Sequence, residues 1–261
     1  MKILYIGDIM AEPGISIVSE VLPGLKREQE IDFVVAQSEN VSNGKGMAVA
    51  DMKRLQLLGV DFFTGGNHTT EIEELNSLLQ NPDSPVIGPA NMPNCPGQGW
   101  KYHIVSGQKI CVVSIMGSKV GKEIEMTNPL QRIDQILPQI DDDTFATIVN
   151  FHGDYSSEKR IFGYYLDGKV TAVVGDHWHV STSDAMILPN GTAHITDVGM
   201  CGSLHSSLGV TLDSVIPRWK DGVVNKNELA TKRPYQFNAV IIDVADDGVV
   251  NSIEQIQKIV D

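Results

Sequence analysis

A chain of 261 residues can bury a sizeable core in one large α/β domain without disulfide staples, and 42% hydrophobic with 20% charged residues is the balance of a folded rather than a disordered protein. A formal charge of −13 argues against tight non-specific binding to long DNA or RNA, because that affinity comes from Lys and Arg neutralising phosphates. Cys95, Cys111 and Cys201 are odd in number and lack metal-type spacing, which argues against a disulfide framework and against a cysteine zinc site.

No apolar run approaches the roughly eighteen residues of a membrane span, and the N-terminus reads as a strand rather than as a signal core. The expectation is a cytoplasmic protein with one domain over residues 1–261. Ile3-Leu4-Tyr5-Ile6, ended by Gly7-Asp8, predicts a strand, and the spacing of Ile15, Val18, Leu22 and Leu25 predicts a helix over 15–30 that Pro23 kinks or ends. Asp8 then falls at the carboxyl end of the first strand, where open α/β sheets place their ligands. Taken alone, an Asp opening a turn is more often structural.

The plan repeats. Residues 32–36 predict a strand with Ser38-Glu39-Asn40 at its end, followed by a helix over 48–58 that Gly59 stops. The loop Asn43-Gly44-Lys45-Gly46 could admit a phosphate but lacks P-loop spacing, so it reads as a turn. A third strand over 60–64 leads to Gly65-Gly66-Asn67-His68 and a helix over 70–79. Carboxylate, amide and imidazole groups thus recur at three consecutive strand ends. Folding alone requires no such recurrence.

A hairpin over 101–114 changes the pattern to antiparallel pairing, and a helix begins near Pro129. The apolar run 145–151 predicts a buried strand ending in His152-Gly153-Asp154, with a helix over 156–166 after it. Val170 to Val174 predicts a parallel strand, and Gly175-Asp176-His177-Trp178-His179 follows. Along extended chain, residues i and i+2 share a face, so His177 and His179 are expected to converge on one point. Strands are expected over 192–198, 237–244 and 249–253, with residues 254–260 open between strand and helix. His103, His194 and His205 read as structural, and Met200-Cys201-Gly202 as a loop near the site.

Asp8, Glu39, Asn40, Asn67, His152, His177 and His179 offer oxygen and nitrogen donors without a thiolate, a set suited to two borderline or hard divalent ions such as iron, manganese or zinc. Glu39 is placed to bridge them, and a shared hydroxide could attack a phosphoryl group in line. His68, beside a ligand but itself free, could protonate the leaving oxygen or could instead orient that ligand.

The set Gly7-Asp8, Ser38-Glu39-Asn40, Gly66-Asn67-His68, Pro89-Ala90-Asn91, Phe151-His152, Ser157-Glu158-Lys159, Leu166-Asp167-Gly168, Gly175 to Val180 and Thr196-Asp197-Val198-Gly199-Met200 resembles the bacterial YmdB-like group of stand-alone calcineurin-like metallophosphoesterases, over most of the chain to about Gly209. The resemblance implies a four-layer α/β/β/α sandwich, a two-metal site that often contains iron, and phosphodiesterase activity on small cyclic nucleotides, 2′,3′ or 3′,5′. By this likeness one metal takes Asp8, Glu39, Asn40 and His179, the other Glu39, Asn67, His152 and His177, and His68 matches the proton donor. Asp176 and Trp178 stand where the family usually has Thr, and Gly153-Asp154 where Ala-Glu is typical, departures that bear on substrate fit and metal preference. A phosphomonoesterase or nucleotidase with the same metals, and a nucleotide-sensing protein with little turnover, are the alternatives. The expected partner is a small anionic nucleotide, with no membrane; homo-oligomerisation is left open.

Overall fold

The first strand, β1 (Lys2–Ile6), alternates its side chains between two cores. Leu4 and Ile6 join Ile15, Val18 and Leu22 of helix α1 (Ala11–Glu28), whereas Ile3 and Tyr5 join Ile110, Ile148 and Val174 of a second sheet. Period-two alternation with both faces apolar places a strand between two packed layers. The computed structural model describes residues 1–120 and 127–261. After β1 come β2 (Asp8–Ile9), α1, β3 (Phe33–Gln37), α2 (Val49–Leu57), β4 (Phe62–Thr64) and the short α3 (Asn76–Gln80). Next are β5 (Trp100–Val105), β6 (Gln108–Met116), α4 (Pro129–Ile136), β7 (Ala146–His152), α5 (Ser156–Tyr165) and β8 (Ala172–Asp176). The chain then runs through β9 (Met186–Ile187), β10 (Ala193–Ile195), β11 (Met200–Ser203), α6 (Leu212–Asp221), β12 (Tyr235–Val244) and β13 (Val250–Val260).

One sheet has the order β2-β11-β12-β1-β3-β4, with β13 also paired to β12; the second has the order β5-β6-β7-β8-β10-β9. The runs β1-β3-β4 and β6-β7-β8-β10 are parallel. Helices cover the outer faces: α1 and α2 contribute Ile17, Leu25, Met52 and Leu55 to the first sheet's outer core, and α4 and α5 contribute Ile133, Ile136 and Phe162 to the second's. The result is the expected four-layer α/β/β/α sandwich.

Several boundaries differ from the sequence expectation. Helix α1 runs through Pro23 to Glu28; the buried stripe of Val18, Val21, Leu22 and Leu25 outweighs the hydrogen bond that proline forfeits. The third expected helix shrinks to a turn, a short 3₁₀ segment and α3. The two residues that lead into it are committed elsewhere, with the His68 amide donating to Glu39 and the Thr69 amide and hydroxyl both donating to the Gly66 carbonyl. Residues 254–260 are strand, because β13 pairs with the whole of β12. Gly175 and Asp176 lie inside β8 rather than after it.

The segment 196–200 carries the chain from the second sheet to the first and ties their edges together: the Asp8 amide donates to the Gly199 carbonyl at 3.0 Å and the Val198 amide to the Gly175 carbonyl at 2.9 Å. A methyl group at Gly175 would stand 1.9 Å from the Thr196 carbonyl oxygen, and one at Gly7 would stand 2.1 Å from that of Gly199. Gly175→Ala and Gly7→Ala should each cost about 3 kcal/mol in urea unfolding, the upper end for overpacking. Gly24→Ala in α1, where the nearest atom is 3.8 Å away, should instead add about 0.5–1 kcal/mol; equal effects at all three positions would refute the crossing constraint.

Candidate active site

The carboxyl ends of β3 and β4 in the first sheet, and of β7 and β8 in the second, come together beneath the 196–200 crossing, beside Asp8. Glu39 and Asn40 leave β3 as a turn, Asn67 and His68 leave β4, His152 closes β7, and His177 follows β8 directly. All seven candidate metal-ligating residues are linked by contacts. His152 Nε2 lies 3.2 Å from Glu39 Oε1 and 2.9 Å from Asn67 Oδ1. The His152 and His177 rings are 4.4 Å apart between centroids, and Glu39, His152 and His177 each offer a ligand atom within one 4.8 Å cluster. On the other side of Glu39, Asn40 Nδ2 lies 3.2 Å from Glu39 Oε1, 3.0 Å from Asp8 Oδ1 and 3.3 Å from His179 Nε2. Asn40 thus turns its nitrogen inward; a half-turn of the amide would bring Oδ1 to the same place.

His177 and His179 do not converge in the way extended chain would bring them. Both have positive φ, 105° and 59°, so the chain coils after β8 and sends them to different sides. His177 keeps to His152 and places Nε2 2.9 Å from the Asp154 carboxylate, and its amide donates to Asp8 Oδ2 at 3.2 Å. His179 crosses to Asn40 and Asp8.

Behind these residues is a group that sequence reasoning noted only as a departure beside the histidines. The Asp176 carboxylate, fully buried, takes His152 Nδ1 at 2.7 Å on one oxygen; the other accepts from the Tyr5 hydroxyl at 2.9 Å, Gln37 Nε2 at 3.0 Å and Asn150 Nδ2 at 2.5 Å. The available signal was a polar residue inside each apolar strand: Tyr5 in β1, Gln37 closing β3, Asn150 within β7 and Asp176 closing β8. Lys159 of α5, also buried, donates to the Asp176 carbonyl and to Asp197 Oδ2 at 2.5 Å, and its ammonium sits 4.2 Å over the Trp178 ring. Trp178 is a packed indole, with Nε1 donating to the Asp154 carbonyl.

The electrostatics follow from this crowding. Burial and the neighbouring Asp176, Glu39 and Asp197 push the Asp8 carboxyl well above the carboxylate range. Burial also raises Glu39, but His152 and the His68 amide reverse that and hold it below the range. Burial lowers the pKa of His152, yet Glu39 and Asp176 outweigh it, so the imidazole is driven toward its cationic form. Burial takes His179 down to about 4. Its Nδ1 can only donate to the Leu208 carbonyl at 3.1 Å, which leaves the Nε2 lone pair facing Asn40 and Asp8.

A cation suits this donor set. With the His152 Nδ1 proton given to Asp176 and Nε2 unprotonated, His152 Nε2, Glu39 Oε1 and Asn67 Oδ1 are three electron-rich atoms turned toward one another. A proton on His152 relieves this in part; a metal ion shared by all three relieves it fully. Gly66 keeps the space clear, since a methyl group there would stand 2.4 Å from Glu39 Oε2 and 2.6 Å from His152. A cavity of about 710 Å³ opens over the cluster, with Glu39, Asn40, His68, His177 and His179 on one wall.

A family profile described as YmdB-like protein matches residues 4–256. The chain is 34% identical over 247 residues to a 2′,3′-cyclic-nucleotide 2′-phosphodiesterase of Bacillus subtilis (strain 168), covering 94% of this chain and 92% of that protein. Among solved structures, a hypothetical protein from Thermus thermophilus superposes with a TM-score of 0.91 at 33% identity, covering 100% of both chains. A phosphatase from Mycoplasma pneumoniae gives 0.92 at 29% identity, covering 99% of this chain and 93% of that one.

Asp176→Asn turns an amide nitrogen toward donors from Tyr5, Gln37 and Asn150 or, flipped, toward the His152 proton. Either way a buried donor loses its acceptor, which should cost about 2–3 kcal/mol in chemical denaturation. A released His152 should also lower metal affinity about 10- to 100-fold in equilibrium dialysis. Unchanged stability and affinity would remove Asp176 from this role.

Proposed function

The chain belongs to the YmdB-like family, and from that premise we propose a binuclear metal-dependent phosphodiesterase that opens small cyclic nucleotides. Relatives carrying phosphodiesterase and phosphatase names make it a hydrolytic metallophosphoesterase. The 2′,3′-cyclic preference rests on the name of the Bacillus subtilis relative. The observation that carries the metal-dependent reading is the convergence of His152 Nε2, Glu39 Oε1 and Asn67 Oδ1.

Asp8, Glu39, Asn40 and His179 would hold one cation and Glu39, Asn67, His152 and His177 the other, with Glu39 common to both. Iron is the first choice by the family resemblance, with manganese or zinc the alternatives; a set that has no thiolate and mixes carboxylate, amide and imidazole suits all three. When bound, such cations supply Lewis acidity, neutralise phosphoryl charge and lower the pKa of water. Asp176 takes the His152 Nδ1 proton and so leaves Nε2 as the atom that can present a lone pair to a cation, and the Leu208 carbonyl does the same for His179. The His68 amide holds Glu39 Oε2 at 2.8 Å, while its ring stands on the cavity wall. With Nδ1 3.4 Å from Glu71, His68 keeps Nε2 for the departing ester oxygen, to which it passes a proton as water adds across the P–O bond.

His68→Ala should lower kcat on 2′,3′-cyclic AMP by about 10²- to 10⁴-fold with bound metal unchanged by elemental analysis; loss of metal from this variant would overturn the acid role. Metal-stripped protein refilled with manganese, or with ferrous iron under anoxia, should release a monophosphate from 2′,3′-cyclic AMP and should favour bis- over mono-nitrophenyl phosphate. Absence of turnover in protein carrying two ions would refute the phosphodiesterase reading.

A further inference from the structure

The cavity continues beyond the candidate metal ligands to a wall built from α6 and residues 222–229. Here the charge reverses. In a chain of net charge −13 with only 20 Lys and Arg, three of them, Lys45, Arg218 and Lys226, line this one cavity. Arg218 is held in place by donating from Nη2 to the Asn225 carbonyl at 3.2 Å and to Asn227 Oδ1 at 2.8 Å. Its Nε is buried with no acceptor. Among the described residues Arg218 and Lys226 pair with no carboxylate, and Lys45 reaches Glu71 only at 3.8 Å.

Uncompensated cations gathered at one place on an acidic protein answer to an anion. The phosphate to be hydrolysed faces the metal-ligating wall, so these cations are surplus to it. Beside Arg218, Trp219 is 83% exposed, an indole face left in water at the rim of a cavity that is to take a nucleotide, where a base can stack on it. Leu208 joins the two walls, since its carbonyl accepts from His179 and its residue lines the cavity. The volume of about 710 Å³ lies well within the range of roughly 300–1,000 Å³ that ligand pockets span.

We propose that Arg218 and Lys226 form a second anion subsite, so that the preferred substrate is a nucleoside cyclic phosphate carrying a further phosphate on its 5′ side. That phosphate belongs either to a 5′-phosphorylated mononucleotide or to the internucleotide link of a short oligonucleotide ending in the cyclic phosphate. The inference rests on the nucleotide reading of the site, but the subsite binds its phosphate without turnover.

The test is equilibrium binding by calorimetry, with adenosine 3′-phosphate, adenosine 3′,5′-bisphosphate and the dinucleotide ApA 3′-phosphate as probes, on the full chain loaded with manganese. At least one of the two probes with the extra phosphate should bind about tenfold more tightly than adenosine 3′-phosphate, and the advantage should shrink with added salt. In the Arg218→Gln, Lys226→Gln double variant the ratio should fall to near one, and Trp219→Ala should weaken all three probes by a similar factor. An advantage confined to the bisphosphate identifies a terminal phosphate; one shared by the dinucleotide identifies the internucleotide link. Equal affinity of the wild-type protein for all three probes, or an advantage that survives the double variant, overturns the subsite. Retained binding preference without hydrolysis of any cyclic phosphate overturns the phosphodiesterase reading and leaves the subsite standing.

Discussion

The site depends on one buried carboxylate. Asp176 sits where the two sheets meet, and its two oxygens accept from Tyr5 and Gln37 of the first sheet and from Asn150 and His152 of the second. A carboxylate removed from water is stable only when its lone pairs are filled, and here the partners come from strands in both layers. The same contacts that satisfy Asp176 set how the strand ends stand against one another, and they aim His152 at Glu39 and Asn67. Stability and function are coupled at this group: the carboxylate that orients a candidate ligand also crosses the gap between the sheets.

Asp8, Glu39, Asp176 and Asp197 are all buried within one neighbourhood, a concentration of negative charge that a low-dielectric interior resists. The protein meets it locally with the Lys159 ammonium on Asp197 and with donors on Asp176. Among the described residues, Asp8 and Glu39 meet only amide donors and the His152 and His179 imidazoles, with no Lys or Arg on either. A folded core alone has no use for that arrangement, whereas a site that attracts divalent cations does.

The backbone is arranged to permit this crowding. Glycine at 66 lets the loop after β4 lie against Glu39 and His152, and glycines at 7 and 175 let the 196–200 segment pass over both sheets. Beyond the candidate ligands, α6 and the segment after it complete the cavity with a wall that carries Arg218 and Lys226.

Much of this was determined by the sequence itself. Strand–loop–helix units ending in Asp8, Glu39-Asn40 and Asn67-His68, with His152 and the histidine pair further on, identify the layers and the donor set, because strand periodicity and donor chemistry are local properties. Local reasoning failed where partners lie far apart in the chain. Asp176 looked like a departure beside the histidines, and only its approach to Tyr5, 171 residues away, makes it the centre of the network. His177 and His179 reach the site through left-handed backbone rather than extended chain, a conformation held by contacts with Asp8, Asp154 and Leu208. Arg218 and Lys226 carried no motif at all. Tertiary structure alone brings them to the cavity, since charge becomes a site only when folding sets it opposite something it can bind.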